Sequence, residues 1–161
     1  MNFIYKINYY LNQALVILAG CCLLTLIFLT SANVILRFFG RPIQGTFELM
    51  GYLGALAGAL ALGFTQMRRG HIAVDVLFNS FPVKLKKAMN IINYTVCGTL
   101  FALAGWQLFE KATILKNTGE VTETLRIVYY PFTYATAVGF FVLTLVLLTE
   151  LLKSIIPEKE K

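Results

Sequence analysis

Four stretches of this chain, residues 7–36, 49–67, 88–109 and 127–149, contain no Asp, Glu, Lys or Arg. They are 30, 19, 22 and 23 residues long. A bilayer's hydrocarbon core of roughly 30 Å takes about 20 helical residues to cross, so each stretch is long enough to span one. Strands of a membrane barrel would instead alternate in polarity over about ten residues. The composition agrees: 58% of the 161 residues are hydrophobic and only 14% are charged, where a soluble domain carries about a quarter. The sequence therefore predicts an all-α membrane protein, one domain over residues 1–161 with transmembrane helices at about 14–36, 49–67, 88–109 and 127–149. The net charge of +6 does not point to nucleic acid, because the basic residues flank the apolar blocks rather than gathering on one soluble face.

Those flanking charges set the expected orientation. With four spans, the N-terminus, the second connection and the C-terminus share a side, with Lys6, Arg68, Arg69, Lys84, Lys86, Lys87, Lys153, Lys159 and Lys161. The other side has Arg37, Arg41, Lys111, Lys116 and Arg126. Nine against five places both termini in the cytoplasm. Arg37 suits the negative end of the first helix, and Gly40 with Pro42 should stop it. Thr46 is the expected cap of the second helix, with Glu48 favourable in its first turn; Arg68 and Arg69 close that helix and Gly70 terminates it. The apolar segment at about 71–80 is too short to cross and is expected to lie in the interface as an amphipathic helix. Pro82 then opens a new helix. Residues 110–126 read as a loop with a turn at Asn117-Thr118-Gly119, and Tyr129, Tyr130 and Tyr134 as an interfacial aromatic belt.

The membrane interior offers little chemistry. Ion-moving proteins place ionisable residues at depth, and here every such residue falls at a span end or in a loop. A self-contained four-helix exporter or channel, acting as a homo-oligomer, is the competing reading, and it would need a central carboxylate. One histidine cannot supply two axial haem ligands, and no nucleophile and base combine, so neither an enzyme nor a cofactor is expected. Cys21, Cys22 and Cys97 should be small buried hydrophobes. Leu18-Ala19-Gly20-Cys21 looks like a lipoprotein cleavage box, but cleavage would leave an apolar stretch where a polar tether belongs, so this segment is expected to remain as a span. Thr25, Thr30, Ser31, Asn33, Asn93, Thr95, Thr99 and Gln107 are expected to make interhelical hydrogen bonds. His71 and Asp75, four residues apart, are expected to form a structural pair rather than a metal site.

The second span holds the densest packing signal. Gly51, Ala55, Ala59 and Gly63 form one four-residue ladder, with Gly54 and Gly58 beside it. Small residues at this spacing let another helix backbone come close, either within this chain or on a partner. The basic residues Arg68, Arg69, Lys84, Lys86 and Lys87 could attract anionic headgroups, at about 1 kcal/mol each, or serve only to set topology.

Asn33-Val34-Ile35-Leu36-Arg37-Phe38, Thr46-Phe47-Glu48-Leu49 and Arg68-Arg69-Gly70-His71-Ile72-Ala73-Val74-Asp75, in that order around a small-residue span, resemble the small membrane subunit (DctQ type) of tripartite ATP-independent periplasmic (TRAP) transporters. The resemblance covers nearly the whole chain, including the Gly119 region and Tyr130-Pro131. It implies a noncatalytic subunit that binds a large membrane subunit in the bacterial inner membrane. That larger partner would take up an organic acid anion with sodium after a periplasmic substrate-binding protein captures it. It also implies structural roles for Asn33, Arg37, Glu48, His71 and Asp75, and a partner interface on Gly51, Gly54, Ala55, Gly58 and Ala59.

Overall fold

The computed structural model describes residues 2–68 and 82–155. They form four helices: α1 (Asn2–Phe38), α2 (Thr46–Met67), α3 (Val83–Thr118) and α4 (Tyr130–Ile155). All four are long and apolar enough to cross a membrane, and no strand occurs among the described residues, where Val121 and Val128 form only an isolated bridge. At 1.5 Å per residue α1 and α3 are about 55 and 54 Å long. Both outreach a bilayer core, whereas α2, at about 33 Å, nearly matches it.

The helix ends show which local signals operate. Gly40 and Gly119 take left-handed conformations just past α1 and α3, as their positions lead one to expect. Pro82 stands at the N-cap of α3, and its carbonyl accepts from the N–H groups of Leu85 (2.9 Å) and Lys86 (3.1 Å). Arg68 caps α2, donating its N–H to Phe64. Gly70, His71, Asp75 and the interfacial segment expected at 71–80 lie outside the described residues.

Three expectations need correction. Thr46 does not cap α2: Gly45 holds that position, and the Thr46 hydroxyl turns back to donate to the Ile43 carbonyl at 2.7 Å. Residues 110–118 are not loop but the last turns of α3. Glu, Lys, Ala and Leu there are strong helix formers, and nothing interrupts them before Gly119. Cys21 is exposed on the chain's surface, and Cys22 and Cys97 are only partly buried; a span needs no protein cover for an apolar side chain, because lipid serves as well.

Packing arranges the helices as a row. α1 lies on α2, α2 on α4 and α4 on α3, while α1 reaches α4 over a small patch and α3 scarcely touches the first two helices. Ala19, Leu56 and Leu60 form a buried cluster, with Leu15, Cys22, Phe132 and Ala135 against it. α4 is the interior element, burying Ala137, Gly139, Val142, Leu143, Val146 and Leu147. Small residues set the spacings. A Cβ on Gly139 would lie 2.6 Å from the carbonyl oxygen of Ala59, and one on Gly105 would meet the side chains of Phe140 and Phe141 at 3.3 Å. Gly139→Leu is therefore expected to force α2 and α4 apart and destabilise the chain by about 1–3 kcal/mol, the usual cost of overpacking, measured as an earlier unfolding midpoint in detergent micelles.

Candidate docking faces

At the end of the row that carries the α1–α2 turn and the α3–α4 loop, two side chains hold loop backbone that has no helical partner. Glu48, in the first turn of α2, accepts the Thr124 N–H on one carboxylate oxygen (2.7 Å) and the Leu125 N–H on the other (3.2 Å). The Leu125 side chain fills the space in front of Gly45, where any Cβ would collide with it, and Gly45 also has φ 71°. Both facts require glycine there. Asn33 acts likewise: its Oδ1 accepts the Ile43 N–H at 2.9 Å, folding the turn back on α1. These acceptors tie the loop to α2 and the turn to α1.

Aromatic rings extend the contact. Tyr52 of α2 stacks on Tyr129 and Phe132, each at 5.4 Å. Tyr130 and Phe109 both meet Tyr134 edge-on, and the Tyr134 hydroxyl lies 3.0 Å from that of Thr113. Of the expected belt residues, Tyr130 and Tyr134 thus face each other and Tyr129 faces Tyr52. Tyr129, just before the span that opens at Tyr130, donates to Glu120 at 2.6 Å. This hydrogen bond, with some burial and the negative charge of Glu120, pushes its phenol up to about 12. The loop itself is tight: Thr122 is buried, its N–H bonds the Ile127 carbonyl, and Arg126 takes φ 52°.

The small-residue ladder of α2 divides. Ala59 is buried against Gly139, and Gly63 against Asn12. Gly51, Gly54, Ala55 and Gly58 are exposed on the remaining face, where a Cβ on Gly51 or Gly58 would meet nothing within 4 Å among the described residues and one on Gly54 only the tip of Leu26 at 3.8 Å. Positions 51, 54, 55 and 58 follow the i, i+3, i+4, i+7 spacing of a single helix face.

At the opposite end of the row, Arg68 is exposed with its guanidinium 5.4 Å from the Phe64 ring centre. Lys87 is exposed and Lys86 partly buried near the start of α3, where Lys84 also lies; Arg69 lies outside the described residues. Arg37 is exposed in the last turn of α1. Sequence reasoning missed a polar contact here. Asn12 is fully buried and donates to the Asn8 carbonyl at 2.8 Å, while Asn8 reaches Thr149 at 3.5 Å. The Asn12 Oδ1 has no hydrogen-bond partner among the described residues and rests against Gly63. Only the four-residue spacing of Asn8 and Asn12 could have hinted at it.

The polar residues expected to bond between helices mostly do not. Thr25, Thr30, Thr95 and Thr99 each donate to the carbonyl four residues earlier on their own helix, the short reach a hydroxyl prefers when the backbone is the nearest acceptor. Among the described residues Asn93 accepts only the Cys97 thiol, at 3.4 Å. No group of three His, Cys, Asp or Glu that could hold a metal occurs among the described residues.

Four helices of spanning length, tied by side-chain acceptors at one end and presenting a bare small-residue face, define a multi-pass helical membrane protein. The family model for the DctQ component of tripartite ATP-independent periplasmic transporters matches residues 26–156. The chain belongs to that family and is the small membrane component of such a transporter. Comparison with curated proteins and with solved structures found no match.

Two outcomes test the loop contacts. Glu48→Ala should strip the Thr124 and Leu125 amides of most of their hydrogen-exchange protection, with Glu48→Gln retaining part of it through its one remaining oxygen acceptor. Tyr129 should titrate near pH 12 in an ultraviolet difference titration against Tyr129→Phe. Because its folded value is raised, its stabilising contribution is complete below the unfolded value of about 10 and disappears as pH climbs through about 12.

Proposed function

We propose that this chain is a noncatalytic scaffold: it enlarges the fixed part of a transporter against which the large membrane subunit moves an organic acid anion with sodium. The observation that carries this is the open face of Gly51, Gly54, Ala55 and Gly58. Bare backbone at that spacing suits close approach of a helix from the large subunit, and close packing is what drives association in lipid. Ala59, whose position is taken by Gly139, contributes through the α2–α4 spacing rather than by contact.

The loop end, fixed by Asn33 and Glu48 beside Arg37, would face the periplasm, where the substrate-binding protein docks on the complex. Both termini would lie in the cytoplasm, and the bacterial inner membrane would hold the whole chain as one domain. Arg68, Arg69, Lys84, Lys86 and Lys87 would seat the cytoplasmic side on anionic phospholipid headgroups. No cofactor enters this scheme.

Uptake by cells that express the large subunit and the binding protein is expected to vanish when this chain is omitted. Gly54→Leu should reduce copurification of the large subunit about tenfold, through one obstructed helix crossing. Unchanged uptake without the chain, or selective solute flux through liposomes holding this chain alone, would overturn the reading in favour of a self-contained exporter or channel.

A further inference from the structure

α3 is the edge helix of the row, and its two sides differ in kind. Toward α4 it buries Gly98, Gly105 and Ala112, spaced by seven residues. On the opposite side Met89, Asn93, Val96, Leu100, Leu103 and Gln107 are all exposed. Their spacing alternates four and three, the a and d pattern of a left-handed helix pair, with Asn93, Leu100 and Gln107 at one position and Met89, Val96 and Leu103 at the other.

Two carboxamides interrupt this otherwise apolar stripe. Asn93 lies about 8 Å from the middle of the uncharged block 88–109, inside the hydrocarbon, and Gln107 lies near its edge. The Asn93 Nδ2 makes no hydrogen bond among the described residues, its Oδ1 accepts only a weak thiol donor, and the Gln107 amide has no partner among them either. Lipid tails offer neither donors nor acceptors, so an unpaired amide at that depth costs free energy that a lipid-facing position cannot offset.

We propose that this stripe pairs with the same stripe of a second copy of the chain, about a twofold axis normal to the membrane. A carboxamide carries both donor and acceptor and is therefore complementary to itself. Copies inserted the same way present parallel α3 helices, and in a parallel pair identical a positions meet. Asn93 then bonds Asn93 of the second copy within the apolar layers made by Val96, Leu100 and Leu103. The register ends where Lys86 and Glu110 would take the next positions, so the seam is confined to the hydrocarbon layer. It leaves the α2 face free, and does not depend on the scaffold reading.

The test uses the full chain, with its large subunit coexpressed and Cys21, Cys22 and Cys97 replaced by alanine. Val96→Cys, Leu100→Cys and Leu103→Cys, made singly and oxidised in isolated membranes, should each give a disulfide-linked pair of this chain, whereas Phe101→Cys and Leu108→Cys, on other faces of α3, should not. In liposomes, energy transfer between labelled copies of the native chain should show self-association that Asn93→Leu weakens about threefold to thirtyfold, and that Asn93→Gln largely keeps. Crosslinks without the heptad spacing, crosslinks only to the large subunit, or transfer unaffected by Asn93→Leu would each overturn the pairing. None of these readouts measures transport, so their failure is distinct from failure of the scaffold reading.

Discussion

The contact of Gly139 with the carbonyl of Ala59 governs the arrangement of everything else. In lipid, apolar surface gains little by leaving its solvent, so helices hold together by how closely their backbones fit. Among the described glycines, Gly139 is the one whose added Cβ would meet the backbone of another helix. α1 leans on one side of the α2–α4 pair and α3 on the other. The result is a row rather than four helices around a common axis. Most of α1 and the far side of α3 therefore remain open, and the hydroxyls of Thr25, Thr30, Thr95 and Thr99 on these outer helices bond their own backbone instead of a neighbour.

A second constraint acts at the loops. Thr124, Leu125 and Ile43 are loop residues whose N–H groups the helical hydrogen-bond pattern does not use. Side chains supply the acceptors, from Glu48 across 76 and 77 residues and from Asn33 across ten. This gives two of the residues shared with the family resemblance a physical role. They hold the turn and the loop against the helices at one end of the row. The Tyr52 stack on Tyr129 and Phe132 adds a rigid apolar layer beneath that end.

The spans were legible because hydrocarbon thickness imposes a length and a lack of charge that a single sequence displays directly. Gly40, Pro82 and Gly119 were legible for a similar reason: their effects are local. The rest depended on distant partners. Nothing near Glu48 in the sequence announces Thr124, and Thr46 looked like a cap because serine and threonine usually serve as one there, until Gly45 proved to be required in front of Leu125. Glu110, Lys111 and Lys116 signal departure from the hydrocarbon, but leaving lipid does not end a helix, and α3 runs on to Thr118. The α2 ladder showed that small residues were needed for packing, but only the position of Gly139 decides which of them face inward.

That division leaves two open surfaces with different requirements. The α2 face exposes backbone at four-residue spacing and accepts a helix that crosses at close range; the α3 face exposes larger side chains on a heptad and accepts a nearly parallel helix at ordinary separation. α4 stands between them in the row, so a neighbour on one does not occupy the other. In the proposed assembly, the close α2–α4 crossing sets the spacing between a subunit on α2 and a second copy on α3. A small chain with little intramembrane chemistry of its own can in this way set the geometry of a larger assembly.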